Sequence, residues 1–323
     1  MRTRNPPAAW DDAVAAYLEN RRALGRLYQK EEYTLDNVRR FFVNAGATDL
    51  DEQLFDRWRA TFFHLSNRTR IIRERAVYNF CRYRRRSAPH CFLPDPNSLA
   101  RPQSRPLPRI IEREQVLRLL RYVSALMPSA SEPLRPAVLR LAILLLYTTG
   151  LRRGELVRLT LGDVDAQRGV LFIRDSKFHK SRWVPVSRSV RAELRSYLDE
   201  RRRAGFDSRS NAPLICHGRG HAYTGPGLHR AFMELFDTVG IRDQNGRRPR
   251  VQDFRHSFAV AALLRWYENG ADVQVNLPKL ALYMGHVSIV STAYYLRWMP
   301  AVVARASERF ELCCGRLIEG GAP

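Results

Sequence analysis

The sequence predicts a mainly α-helical protein with two domains and a small antiparallel β-sheet in the second domain. Three observations carry this prediction. Apolar residues recur at helical spacing over most of the 323 residues, six prolines interrupt the pattern between positions 87 and 109, and two short β-type runs follow further along the chain. A chain of this length can bury two separate hydrophobic cores.

The composition predicts a folded protein with a polyanionic partner. The chain has 54 lysine and arginine residues against 32 aspartate and glutamate residues, so its formal net charge is +22. A surplus of this size is typical of proteins that bind DNA or RNA. Only four of the basic residues are lysines, which indicates a bias toward arginine. Such a bias explains arginine replacing lysine, but it does not explain the excess of positive charge.

The sequence also predicts the compartment in which the protein works. It contains no apolar run of membrane-spanning length, and its first residues lack the apolar core of a signal peptide. Its five cysteines are scattered and odd in number, so they do not predict a disulfide framework. We therefore expect a cytoplasmic protein.

Residues 1–87 are predicted to form a helical DNA-binding domain. Three helices are expected at about residues 10–27, 34–44 and 51–65, and a fourth at Asn67–Arg86. The fourth helix places apolar residues on one side and arginines on its other faces. Arginine contacts to phosphates supply much of the affinity of proteins for DNA. We expect such contacts from Arg68, Arg70, Arg73, Arg82, Arg84, Arg85 and Arg86; the alternative is a solvated polar face.

Residues 88–109 are predicted to be a stiff linker between the domains. Proline fixes φ and lacks a backbone N–H, so a dense run of prolines excludes a helix and favours an extended chain. The prolines of this segment stand at positions 89, 94, 96, 102, 106 and 108.

Residues 110–323 are predicted to form the second domain. Helices are expected at about residues 112–126, 135–147, 190–204 and 225–239. Between the second and third of these, Gly169–Arg174 and Ser181–Val186 read as two strands of a hairpin. The tip of this hairpin carries Lys177 and Lys180.

Five short motifs occur in order in this second domain: TTGLRRGEL, SKFHKSRWVPV, QDFRHSFA, MGHVS and STAYYL. Together they resemble the catalytic domain of the tyrosine recombinases, or phage integrase family, over roughly residues 107–300. The helical domain before the linker resembles that family's core-binding domain in architecture rather than in motif. The resemblance implies a two-domain clamp around DNA that breaks and rejoins strands without metal, ATP or any other cofactor.

The resemblance assigns roles to five residues by their place in these motifs. Arg152 and Arg255 match the two catalytic arginines, whose planar guanidinium groups suit phosphate oxygens. Lys177 matches the hairpin lysine that protonates the leaving 5′ oxygen. His286 matches a histidine that donates a hydrogen bond to the phosphate. Tyr295, nine residues further on, matches the nucleophile that forms a 3′-phosphotyrosyl link.

Two further positions support this set. Glu155 matches the family's acidic residue, expected to orient Arg152 or a neighbouring histidine, although a simple helix-cap carboxylate is the alternative. Lys180 is the alternative to Lys177 if the hairpin has another register, and is otherwise expected to contact DNA.

The phenol of tyrosine, with a pKa of about 10, needs a base or a cationic pocket to react at neutral pH. We expect the arginines to provide such a pocket.

One position departs from the family pattern. The residue three before the second arginine is usually histidine and sometimes lysine, but here it is Gln252. Glutamine can donate a hydrogen bond to a phosphate oxygen, but it cannot act as an acid or a base at neutral pH. His256 is a poor substitute by its spacing and is expected to pack or hydrogen-bond behind the site. Gln252 therefore affects the step in which the tyrosine is activated. We expect an active enzyme, although a slower one.

The predicted function is a site-specific recombinase or integrase of a mobile element. Family members work as tetramers on paired DNA half-sites, and residues 301–318 are expected to dock on a neighbouring copy. Two alternatives stay open: a type IB topoisomerase-like enzyme, and a non-catalytic DNA-binding regulator that kept the fold. A metal site at Cys216, His217, His221 and His229 is not expected, because the spacing fits no standard zinc pattern.

Overall fold

The computed structural model describes residues 6–25, 27–101, 109–174, 181–218, 220–243, 245–286 and 288–298. The chain divides into two compact units, Met1–Pro106 and Leu107–Pro323, each with its own hydrophobic core. Both units are mainly helical, and the small sheets are antiparallel, which confirms the predicted fold class. In the part of the chain described here, no helix is both long and apolar enough to span a membrane.

Four helices are formed by the part of the first unit that the structure describes: α1 (Pro6–Ala23), α2 (Gln29–Asn44), α3 (Glu52–Ala60) and α4 (Asn67–Arg84). Aromatic side chains fill the space between them. The ring of Trp10 on α1 forms edge-to-face pairs with two phenylalanine rings. Its centroid lies 4.9 Å from that of Phe42 on α2 and 4.8 Å from that of Phe80 on α4. Edge-to-face pairs of this kind add to the energy of burying apolar surface.

Short polar side chains define where two of these helices begin. Asp51 accepts a hydrogen bond from the backbone N–H of Leu54 at the start of α3, and Ser66 caps α4 through Thr69 in the same way. Such caps satisfy N–H groups that have no partner inside the helix. The first helix ends at Ala23, before the predicted boundary, and Gly25 adopts a positive φ of 77° just after it.

The described residues of the second unit form eight further α-helices. They are α5 (Arg113–Ala125), α6 (Arg135–Thr149), α7 (Arg153–Leu156), α8 (Arg188–Arg203), α9 (Gly225–Thr238), α10 (Val251–Glu268), α11 (Val273–Met284) and α12 (Val290–Ala293). α6 is the central helix, because it packs against α5, α8 and α10 and is apolar on most sides. A 3₁₀ turn over Tyr294–Trp298 follows α12.

A three-stranded sheet covers one side of this unit. It consists of β1 (Val164–Asp165), β2 (Val170–Ile173) and β3 (Arg182–Pro185), paired in that order. β2 and β3 form the hairpin that the sequence predicts, with Leu171 opposite Val184. The tip of the hairpin, including Lys177 and Lys180, lies outside the described residues.

A second, smaller hairpin was not predicted. β4 (Cys216–His217) pairs with β5 (His221–Ala222) in a segment that reads as a loop because of its glycines. Strands of two residues are too short to show an alternating pattern, so only tertiary contacts reveal them.

Candidate active site

The side chain of Arg255 is buried where two helices end. Arg255 lies in the first turns of α10 and is 1% exposed. Its Nη1 donates a hydrogen bond to the carbonyl of Gly150, and its Nη2 to the carbonyl of Met284, both at 2.6 Å. These carbonyls stand at the C-terminal ends of α6 and α11, where the helix dipole is negative and favours a cation. Burial lowers the pKa of Arg255 to about 9, and the charge of Arg152 adds to this effect, so the group stays protonated at neutral pH.

Both helix ends depend on a glycine in the left-handed conformation. Gly150 has a φ of 62° and Gly285 a φ of 66°. A Cβ atom on Gly150 would lie 2.5 Å from Cδ1 of Phe258, and one on Gly285 would lie 2.9 Å from Nη1 of Arg182. Any other residue would therefore clash as well as strain the backbone. The two glycines allow the arginines to approach the helix ends closely.

The carboxylate of Glu155 connects two other arginines. Glu155 lies in α7 and is 2% exposed. Arg152 donates to one carboxylate oxygen at 2.7 Å, and Arg182 of β3 donates to both, at 3.1 and 2.9 Å. Arg152 also donates to the carbonyl of Gly285, and Arg182 to that of Tyr283, each at 2.8 Å. The carboxylate therefore ties α7, β3 and the end of α11 together.

The charge state of Glu155 follows from these contacts. Burial alone raises the pKa of Glu155, but the hydrogen bonds and charge of Arg182, with a contribution from Arg152, outweigh it and hold the pKa at about 2. The carboxylate is thus charged at neutral pH and keeps Arg152 in a fixed position. The side chain of Arg152 remains 25% exposed. An oriented guanidinium that is open to solvent is a site for an oxyanion such as a phosphate.

Two histidine rings contact Tyr295. This tyrosine lies in the 3₁₀ turn after α12 and is 3% exposed. Its hydroxyl oxygen is 2.8 Å from Nδ1 of His256 on α10. The ring of His286 stacks against the Tyr295 ring with centroids 6.5 Å apart, and Nδ1 of His286 lies 2.6 Å from the hydroxyl of Thr292.

The pKa of Tyr295 moves against expectation. We expected the neighbouring arginines to provide a cationic pocket that favours the phenolate. Instead, burial raises the pKa of Tyr295 above its ordinary value of 10.0, and the charges of Arg255 and Arg152 oppose this only in part. The arginines therefore act in the expected direction, but the cost of removing a phenolate from water is larger than their effect. The hydroxyl is therefore protonated at neutral pH and needs an acceptor for its proton.

The ring of His256 contacts the hydroxyl of Tyr295, whereas the sequence predicted that it would pack or hydrogen-bond behind the site. Consecutive residues of a helix point about 100° apart, so His256 lies on a different face of α10 from Arg255. The chain after α11 folds back over this other face and brings Tyr295 against His256. Spacing along α10 alone contains no information about this return of the chain.

Both histidines are neutral at neutral pH. Burial lowers the pKa of His256 below 6.5, although the carboxylate of Asp253 acts in the opposite direction. Burial also lowers the pKa of His286, to about 3, together with the charges of Arg255 and Arg152. Neutral imidazole has one nitrogen that donates and one that accepts, so each ring can take part in a directed hydrogen bond.

The structure brings together six of the residues singled out in the sequence: Arg152, Glu155, Arg255, His256, His286 and Tyr295. Gln252 lies one turn of α10 before His256 and is exposed. Lys177, Lys180 and the segment 301–318 lie outside the described residues. Sequence reasoning missed Arg182, Thr292 and Asp253, and for Arg182 the only available signal was its place just after the hairpin lysines.

The arginines on α4 and directly after it differ in how exposed they are to solvent and hence to DNA. The guanidinium of Arg84, which we expected to contact DNA, instead donates to both carboxylate oxygens of Asp49 at 2.6 and 2.5 Å. This bidentate pair joins the end of α4 to the loop after α2, so Arg84 has a role within its own unit. Arg70 and Arg73 are half-buried against phenylalanine rings. The exposed members of the set are Arg68, Arg82, Arg85 and Arg86.

The cysteine and histidine residues near β4 belong to a packed hairpin. The sulfur of Cys216 accepts a hydrogen bond from Arg201 at 3.0 Å, and the rings of His217 and His221 face each other at 6.0 Å. Within the described ranges, no group of three or more histidine, cysteine, aspartate or glutamate side chains is arranged to hold a metal ion.

The sequence matches a known family and several of its members. The model of the phage integrase family matches residues 109–300. A protein of Sinorhizobium fredii named as an integrase/recombinase, y4rB, is 34% identical over 309 residues, which cover 93% of this chain and 96% of the relative. The tyrosine recombinase XerD of Caulobacter vibrioides is 29% identical over 299 residues, which cover 89% and 91% of the two chains.

Solved structures share the fold at lower sequence identity. The recombinase XerH bound to its palindromic difH substrate has a TM-score of 0.62 and 21% identity, covering 86% of this chain and 78% of that one. The Tn1549 transposon integrase in complex with transposon right end DNA has a TM-score of 0.64 and 16% identity, covering 92% and 98%.

The ion pairs of Glu155 predict the effect of removing Arg182. The substitution Arg182→Gln leaves a buried carboxylate with one arginine, and breaking a buried pair in this way destabilises a protein by about 3 kcal/mol. The free energy of unfolding, measured by urea denaturation at neutral pH, should fall by that amount. As a control, Arg202→Gln removes an exposed pair with Asp199 and should change it by less than about 1 kcal/mol.

The same pair predicts a dependence on pH. The pKa of Glu155 is about 2 in the folded protein and 4.5 ordinarily, so its contribution to stability is present above pH 4.5 and is lost as the pH falls toward 2. The difference in unfolding free energy between wild type and Arg182→Gln should therefore shrink on acidification. A difference that stays constant from neutral pH to about pH 3 would contradict the assigned ion pair.

Proposed function

Because this chain belongs to the phage integrase family, we propose that it is a site-specific DNA recombinase that cuts and rejoins strands through a 3′-phosphotyrosyl intermediate. Its similarity in fold to XerH bound to difH and to the Tn1549 transposon integrase bound to transposon end DNA supports DNA as the substrate. The second of these similarities favours a role in the movement of a mobile element. We place this activity in the cytoplasm, as the sequence predicts.

One observation carries the proposal: a buried tyrosine hydroxyl is held against a histidine, next to two arginines that are locked in place. His256 holds the hydroxyl of Tyr295 at 2.8 Å, and the charges of Arg255 and Arg152 act on that phenol. Attack on a phosphodiester needs a nucleophile beside fixed cations that stabilise the growing negative charge of the transition state. The same arrangement would be costly to maintain if it served stability alone.

The phosphate first meets Arg152. Its guanidinium is partly exposed and is oriented by Glu155, so it binds a non-bridging oxygen without rearranging. Arg255 keeps one N–H on each terminal nitrogen after bonding its two carbonyls, and these serve the phosphate once it enters. His286 adds a third contact. If the hydroxyl of Thr292 donates to its Nδ1, the Nε2–H is left to donate to a phosphate oxygen.

Cleavage then exchanges one ester bond for another. The oxygen of Tyr295 forms a bond to phosphorus, the bond from phosphorus to the 5′ oxygen breaks, and Lys177 gives its proton to the leaving oxygen. The covalent link conserves the energy of the phosphodiester, so rejoining requires neither ATP nor a metal ion. Since Tyr295 is 3% exposed, DNA binding has to give the phosphate access to its hydroxyl before attack.

We assign the recognition of DNA to both units. The first unit contacts the duplex through four exposed arginines on α4 and directly after it, Arg68, Arg82, Arg85 and Arg86. The chain passes from this unit into the catalytic unit after Pro106. The charge of these arginines suits contacts to the phosphate backbone, which hold the protein on DNA without reading its sequence. Exchange between two sites requires several copies, and a tetramer on paired half-sites is the proposed assembly.

Covalent trapping tests the proposed nucleophile. The substrate is a nicked duplex that carries a site selected from random-sequence DNA by binding to the full chain. The wild type should form a covalent protein–DNA adduct on a denaturing gel, with an unchanged yield in EDTA and without nucleotide. Tyr295→Phe should form none, because phenylalanine has no hydroxyl, whereas the neighbouring Tyr294→Phe should still form it.

Other outcomes of this experiment identify the alternatives. Binding without any adduct would support a DNA-binding regulator, the reading that Gln252 favours. An adduct together with relaxation of supercoiled DNA, but no exchange between two sites, would support a topoisomerase-like enzyme.

Sulfur substitution tests the proposed general acid. Lys177→Ala should slow cleavage by about 100-fold or more, because the 5′ oxygen then leaves without a proton. A substrate with sulfur in place of that oxygen has a better leaving group and should restore the rate of the variant. Lys180→Ala, three residues away, should weaken binding but gain nothing from sulfur. If sulfur restored the rate of Lys180→Ala and not that of Lys177→Ala, Lys180 would be the general acid and Lys177 the DNA contact.

A deletion tests the proposed assembly segment. A chain that ends at Met299 lacks residues 301–318 and should still bind a single site, because the residues of the catalytic cluster are all present. It should fail to form the paired complex of two DNA sites, as measured by native gel or sedimentation. Intact pairing of sites by the truncated chain would show that this segment does not dock on a neighbour.

A further inference from the structure

The hydrogen bond between Tyr295 and His256 raises the question of where the proton of the phenol goes. The hydroxyl is protonated and buried, and attack on phosphorus must release its proton. Gln252, at the position where the family usually has a histidine, cannot take it. The acceptor therefore has to be another group close to the hydroxyl oxygen.

Of the two histidines that contact Tyr295, only one has a nitrogen aimed at the hydroxyl. Nδ1 of His256 lies 2.8 Å from that oxygen, within ordinary hydrogen-bond distance. His286 meets the tyrosine ring face to face, and its Nδ1 is occupied by Thr292 at 2.6 Å. The pKa of His286, lowered to about 3, also makes this ring the weaker base of the two. Geometry and basicity thus select the same residue.

A buried carboxylate lies near the second ring nitrogen of His256. Oδ1 of Asp253 lies 4.0 Å from Nε2 of His256, and the Asp253 side chain is fully buried. Asp253 is held in turn by the backbone N–H of Arg250 at 2.7 Å. A nearby negative charge favours the tautomer with hydrogen on Nε2, which leaves the lone pair of Nδ1 to accept from the tyrosine.

We propose, on the basis of the recombinase function proposed above, that His256 is the general base that takes the proton from Tyr295 during cleavage. The proton moves from the tyrosine oxygen to Nδ1 of His256 as the oxygen–phosphorus bond forms. The imidazolium is stabilised by Asp253, and the leaving 5′ oxygen receives its proton separately. On rejoining, the proton returns from Nδ1 to the tyrosine oxygen. The chain thus supplies from position 256 the proton transfer that Gln252 cannot provide.

The substitution His256→Asn separates a base from a mere hydrogen-bond partner. The side-chain oxygen of asparagine can accept a hydrogen bond where Nδ1 stood, but it takes up no proton near neutral pH. Under single-turnover conditions on the nicked substrate, the variant should bind DNA normally and cleave on the order of 100-fold more slowly. Sulfur at the 5′ position should not restore its rate, because the missing step is not protonation of the leaving group. His221→Asn, on exposed β5, should cleave at the wild-type rate.

The pH profile of the wild type provides a test that does not depend on how a variant folds. His256 is faced by Asp253, Arg250 and Arg255 from its own helix and by Tyr295 and His286 from the returning chain. Burial and the two arginines place its pKa below 6.5, so the base is free at neutral pH. The cleavage rate of the wild type should fall as the pH drops through the lowered pKa of His256, because the ring is then protonated. The rate of His256→Asn should not show this fall, which is the acid limb of the profile.

Three results would overturn the proposal: wild-type cleavage by His256→Asn, an acid limb that persists in that variant, or a wild-type cleavage rate that does not fall at any pH below 6.5. Failure of the recombinase function looks different, because the wild type would then form no adduct or Tyr295→Phe would still form one. A wild type that forms a Tyr295-dependent adduct at the same rate as His256→Asn would reject the base and leave the recombinase function standing.

Discussion

The cationic site exists because the C-terminal ends of α6 and α11 meet at the buried guanidinium of Arg255. An arginine can be buried only where other groups replace the water that it loses. Here the carbonyls of Gly150 and Met284 replace it, and the left-handed glycines after each helix make the close approach possible. Arg152 lies at the same convergence, because its guanidinium donates to the carbonyl of Gly285.

A second buried charge completes the framework. Glu155 holds Arg152 on one side and Arg182 on the other, so the loop after α6, the hairpin strand β3 and the end of α11 share one carboxylate. Burial also has a consequence for the proposed nucleophile. It keeps Tyr295 protonated despite two nearby arginines. The arginines alone therefore do not produce the phenolate, and the hydroxyl has to transfer its proton to another group. The contact with His256 offers a local solution to that problem.

The sequence was sufficient for much of the fold. Helical periodicity and the cap signals located the main helices to within a few residues, because these features act over one or two turns and are visible in any short window. It was insufficient for β4 and β5, which are too short to carry a pattern. It was also misleading for Arg84, since a basic residue on a basic helix looks like a DNA contact until its partner Asp49, 35 residues earlier, is seen beside it.

By itself the sequence determined the family, the two mainly helical units and the motif positions of Arg152, Arg255, His286 and Tyr295, because these depend on residue type and spacing. Only the tertiary structure decided which groups touch. The pairing of Arg182 with Glu155 joins residues 27 apart, and the contact between His256 and Tyr295 joins residues 39 apart. The tertiary structure also decided the direction in which the pKa of Tyr295 shifts, because desolvation depends on what covers a side chain and not on its neighbours in the chain.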